Sequence, residues 1–215
     1  LPRPADALAI AEPAAEVDAL RRAALAGLAG LSVAYAVFAR DGRRRNVIGL
    51  LGLVAVALTV ATAAVGWAPS AVDGVPLAVQ LALLSVSAGG ALAALTLGHW
   101  YLVTPRLSVQ PLVLLTRVLA VVIAIQLAVF AVWAAFGSGP AQAAFQAVSG
   151  PHALYGWLRL LVTLAFPFVL VLMAHQTARS RSMESATGLL YIAVAAIFAG
   201  TIGAAALYVT SGLLV

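Results

Sequence analysis

The chain has 215 residues, of which 64% are hydrophobic and only 9% charged, with a mean hydropathy of +1.08. A soluble domain cannot bury that much apolar surface, so the composition excludes the ordinary soluble classes and points to an integral membrane protein. The net charge of +5 does not call for nucleic acid, because the arginines fall in short connections between apolar runs, where the positive-inside rule accounts for them.

All basic residues are arginine and none is lysine; with the Ala, Val, Leu and Gly bias, this reads as the product of a GC-rich, prokaryotic genome. The lack of cysteine excludes disulfides, cysteine-ligated iron–sulfur clusters, blue copper and covalently attached haem. The chain opens on Leu1 rather than methionine, so residues removed ahead of it are an open expectation.

In chain order, residues 1–22 form an extramembrane tail, acidic through Asp6, Glu12, Glu16 and Asp18 and interrupted by Pro2, Pro4 and Pro13. It reads as a flexible lead-in, with Leu8 and Ile10 as its apolar contacts and a helical extension from Ala14 onward. Six runs then reach the ~20 apolar residues that cross a bilayer as a helix: 23–39, 47–67, 76–103, 112–136, 153–174 and 188–208. The expected fold is an all-α polytopic bundle of six transmembrane helices occupying residues 23–215.

The first, third and fifth connections carry Arg40, Arg43, Arg44, Arg45, Arg106, Arg179 and Arg181, while the other side holds Arg3, Arg21 and Arg22. This asymmetry places the "RDGRRRN" loop in the cytoplasm and both termini outside the cytoplasmic (inner) membrane. Arg21 and Arg22, beside the first span, run against it. Small residues at spacing four offer packing faces: Ala26, Gly30 and Ala34; Gly90, Ala94 and Gly98; Ala196, Gly200 and Ala204. Pro167 is expected to kink the fifth span and free a backbone carbonyl.

Every carboxylate lies in the tail or a connection, which disfavours a proton- or cation-coupled transporter. It also leaves Arg117 and Arg159 without a carboxylate at matching depth. At ~1.5 Å per residue, His99 and Arg117 lie about 9 Å, and His175 about 6 Å, from the boundary nearest the arginine-rich connections. Two imidazoles and a guanidinium at similar depth suggest a b-type haem near the cytoplasmic face. His99 and His175 would be the iron ligands, with Arg117, Arg106, Arg179 or Arg181 on the propionates and Trp100, Tyr101 and Phe168 lining the pocket. A quinone is a compatible ligand of the same region, held by His99 or Tyr101 and stacked on Trp100. The plain alternative is an aromatic belt at His99, Trp100 and Tyr101 with a snorkelling Arg117.

At the other end, His152, Tyr155 and Trp157 read as interfacial anchors, and Arg159 is offered Gln80 or an anionic lipid as partner. No H-E-x-x-H, G-x-S-x-G or Walker-type loop is present. The sequence therefore leads to a non-catalytic membrane subunit of a redox complex. It would carry haem b, exchange electrons with quinone, and contact lipid and neighbouring subunits. The alternative is a cofactor-free structural or assembly subunit.

Overall fold

A computed structural model describes residues 15–104, 106–138 and 143–215, with side chains of 15 and 16 outside the description. The acidic, proline-broken stretch and its Leu8 and Ile10 contacts lie outside the described residues. The long helices are α1 (Ala15–Val37), α2 (Gly42–Trp67), α3 (Ala71–Val103) and α4 (Gln110–Phe136). After a short α5 (Gln146–Ser149) come α6 (Ala153–Leu160), a π-helical turn (Leu161–Ala165), α7 (Phe166–Arg179) and α8 (Met183–Ser211). Counting α6 through α7 as one continuous span, six helices among the described residues are long and apolar enough to cross a membrane.

The helix boundaries have local causes. Asp41 caps α2, its carboxylate accepting from the Arg44 backbone N–H at 3.2 Å. The same carboxylate pairs with the Arg44 guanidinium at 3.3 Å, which stands over the Phe38 ring. Ser70 and Asp73 bond reciprocally at the start of α3: the hydroxyl donates to the carboxylate at 2.6 Å and accepts from the Asp73 N–H at 3.3 Å. This is capping-box logic, satisfying donors that a first helical turn leaves open. Pro111 sits in the first turn of α4, where a missing N–H costs nothing.

The chain divides into two compact units, residues 1–81 and 82–215, with the division inside α3. In the first, α1 lies against α2. Tyr35 approaches Gly49 so closely that a Cβ there would stand 3.3 Å from the ring. The expected row Ala26–Gly30–Ala34 is not the packing edge: Ala26 is exposed and Gly30 has open space where a Cβ would be. Only Ala34 of that row is partly covered, in line with Ala24, Leu28 and Leu31. Asp18 holds both Arg21 and Arg22, the latter at 2.6 Å, so the two arginines that opposed the orientation pattern are paired locally.

In the second unit, α4 packs on α7 and α7 on α8. The 82–103 part of α3 closes the ring. Gly90 faces Leu119 of α4, and Gly98 faces Thr187 and Leu190 of α8. Ala94, between them, is fully buried. The row Gly90–Ala94–Gly98 thus works as a close-packing edge, on the principle that small residues let helix backbones approach. Going round, the helices run α3, α4, α7, α8.

The π turn sits directly before Pro167, with the Phe166 N–H reaching the Leu161 carbonyl. Proline cannot donate to the preceding turn. The helix answers that lost donor by widening for one turn, and α6, the π turn and α7 remain one continuous span.

Candidate functional site

Three groups of polar side chains interrupt the apolar faces of the second unit. At the α3–α8 edge, Leu95, Thr96, His99, Trp100, Val103, Thr104 and Tyr191 line a cavity of about 510 Å3. His99 is exposed, and Trp100 is 62% exposed. A second cavity of about 470 Å3, lined by Gly89, Leu92, Ala93, Thr96, Leu97 and Trp100, adjoins it. The two share Thr96 and Trp100, so a groove follows α3 for about 16 Å, taking ~1.5 Å per residue from Gly89 to Trp100. Its lining contains one imidazole, one indole, one phenol and two threonine hydroxyls, but no carboxylate or guanidinium.

Tyr101, the residue next to Trp100, points the other way. It is 2% exposed, packs among Ala94, Leu112, Ala174, Ala178, Ala186 and Leu190, and donates its hydroxyl to the Ser108 carbonyl. Its role is to tie the α3–α4 connection to the core, and the ligand-facing phenol of the groove is Tyr191, which the sequence reading passed over. Tyr101 lies about 200° round the helix from His99 and is committed to the core, so it does not join the groove.

His175 belongs to the α4–α7 seam. Its Nδ1 lies 3.2 Å from the Val113 carbonyl and 3.1 Å from Thr116 Oγ1. The carbonyl only accepts, and the threonine hydroxyl already donates to the Leu112 carbonyl at 2.8 Å. Nδ1 is therefore the protonated nitrogen, and Nε2 is the bare one in the neutral ring. A metal-ligating histidine needs this arrangement, with its second nitrogen fixed by a backbone acceptor. His175 thus fits the chemistry of one axial ligand to haem iron.

The packing does not bring His99 and His175 together. In the ring α3–α4–α7–α8, His99 lies at the α3–α8 edge and His175 at the α4–α7 edge, which are opposite. Arg117 and Arg179 are exposed on the His175 side, each four residues from a seam residue: Arg117 from Val113, Arg179 from His175. Arg106 is exposed in the α3–α4 connection. Phe168, seven residues before His175, is half-buried against the core. Among the described residues, no three His, Asp or Glu side chains gather as a metal-ion cluster.

The third group is at the far end. Arg159 is 6% exposed. Its Nη2 donates to Gln126 Oε1 at 2.8 Å, and its Nη1 to Thr163 Oγ1 at 3.1 Å; Nε has no hydrogen-bond partner. Thr163 donates in turn to the Arg159 carbonyl at 2.9 Å. Gly200 of α8 makes room for this node, since a Cβ there would meet Thr163 at 2.4 Å and Arg159 Nη1 at 2.7 Å. The bonded amide is Gln126 of α4, where the sequence had offered Gln80. Tyr155 and Trp157 are exposed, and the Trp157 indole donates to the Val148 carbonyl at 3.1 Å.

No family profile, curated protein or solved structure matches the chain.

Proposed function

We propose that this chain is a non-catalytic membrane subunit of a redox complex, and that the groove on α3 holds a quinone. The observation that carries the reading is the convergence of His99, Trp100, Tyr191, Thr96 and Thr104 on one mainly apolar cavity. An aromatic platform with a few neutral hydrogen-bonding groups suits an uncharged ring bearing carbonyl acceptors. The adjoining cavity along Ala93 and Gly89 gives a hydrocarbon tail somewhere to lie. Haem b would enter the same reading through His175, which would hold the iron together with a group from a neighbouring chain. The chain itself supplies positions and hydrogen bonds, and the partner subunits supply the turnover.

Solvent extraction of the purified protein should release quinone. A benzoquinone with a decyl chain should quench Trp100 emission, and His99→Ala should weaken that binding about tenfold, the equivalent of one hydrogen bond near the top of its usual range. Absence of both quinone and quenching rejects the reading. The oxidised and dithionite-reduced spectra test haem directly: a b-type signal should depend on His175 and not on His152.

A second reading is a cofactor-free assembly subunit, in which the Gly98 contact with Thr187 and Leu190 serves to hold the chain's own helices in shape for its partners. It predicts silent spectra and loss of complex assembly on Gly98→Leu. The inner-membrane orientation, with both termini outside, is tested by single cysteines in a chain that has none of its own. Ser108→Cys should label only from the cytoplasmic side.

A further inference from the structure

We infer that the outer lip of the α4–α7 seam is a binding site for the phosphate of an anionic phospholipid, held by Arg117 and Arg179. Arg117 is exposed partway along an apolar span, seven residues beyond Gln110, where α4 begins. That places its Cα about 10 Å along the helix axis, where a guanidinium facing hydrocarbon is costly unless it finds an anion or water. The described carboxylates on the long helices, Asp18, Asp73 and Glu184, lie close to the helix starts, so a second copy of the chain brings none at the depth of Arg117.

Helix direction draws the two guanidinium groups toward each other. Each Cα–Cβ bond tilts toward its own helix N-terminus. Arg117 on α4 therefore leans back toward Gln110, and Arg179 on the antiparallel α7 leans inward toward His175. His175 lies between them, its Nδ1 proton held by the Val113 carbonyl, so it marks the seam while the phosphate contacts fall to the two guanidinium groups. Two guanidinium forks suit a group with several anionic oxygens better than a single carboxylate does. The exposed flanks, Leu114 and Val118 on α4 and Val169 and Leu172 on α7, give the acyl chains an apolar bed. Basic recesses between transmembrane helices are a recurrent way of holding anionic headgroups.

The test uses the full chain in detergent, exchanged into phosphatidylcholine and titrated with phosphatidylglycerol while retained lipid is counted by native mass spectrometry. Phosphatidylglycerol should be retained in preference to phosphatidylcholine. Arg117→Gln and Arg179→Gln should each weaken retention about fivefold, the usual scale for one basic contact to an anionic headgroup. Arg117→Lys should keep most of the preference, and Arg40→Gln, on the first unit, should leave it unchanged. Circular dichroism of each variant checks that the fold is intact. Equal retention of the two lipids, or a preference indifferent to Arg117 and Arg179, overturns the inference. So does a Soret band lost with Arg117→Gln, which would make the anion a haem carboxylate.

Discussion

The two ends of the four-helix ring treat polar side chains in opposite ways. At the Arg159 end, guanidinium, amide and hydroxyl are turned inward and bonded to one another, and α8 gives up a side chain at Gly200 to seat them. At the His99 end, imidazole, indole and phenol are turned outward over a groove. The first arrangement uses polarity to fix how helices pack. The second leaves donors and acceptors where something from the bilayer can meet them. Polarity within a span therefore says little about function until its direction is known.

The contrast can be broken by substitution. The largest effect is expected beside the inward node, at Gly156, where a Cβ would stand 1.8 Å from the Ala147 carbonyl oxygen. Gly156→Ala should destabilise by about 3 kcal/mol, the upper part of the overpacking range, as measured by unfolding in mixed micelles. Gln126→Leu leaves Nη2 of Arg159 without its acceptor and should cost about 1.5–3 kcal/mol. Adding Arg159→Leu should recover most of that loss, because an apolar pair replaces a half-satisfied polar one. A double mutant no more stable than Gln126→Leu would show that Arg159 is already satisfied elsewhere.

At the outward end, His99→Ala should change stability by less than about 0.5 kcal/mol while removing the quinone response, since an exposed side chain contributes little to packing. His175→Leu should fall between these cases, at about 1 kcal/mol for the lost Nδ1 hydrogen bond. The first unit should show an effect of the opposite sign: Gly30→Ala meets nothing within 4 Å and should be neutral or stabilising by up to about 1 kcal/mol through helix propensity.

Depth was legible in the sequence and azimuth was not. Counting residues from Pro105, Pro111 and Arg179 put His99, Arg117 and His175 at similar levels. Which side each faces depends on which helices are neighbours, and one short span does not carry that. The six apolar runs were legible because a bilayer demands length, and the Gly90–Ala94–Gly98 edge because its glycine bears directly on Thr187. The same spacing misled on α1, where alanine-rich composition supplies small residues on every face. Gln126 was missed for a different reason. Its match with Arg159 depends on the path of the helix through the turn at Leu161–Ala165, and Pro167 announces a disturbance there without saying how it resolves.

That widened turn also sets the phase of everything before it. Five residues wound as π rather than α lag by about a quarter revolution, so Arg159 meets the interior only because the coil downstream is loosened. Excising one residue from 161–165 would let the helix rewind, swing the guanidinium toward a neighbouring flank and carry Gly156 off its contact with Ala147. A single proline thereby acts at a distance as the rotational setting of the whole upstream segment.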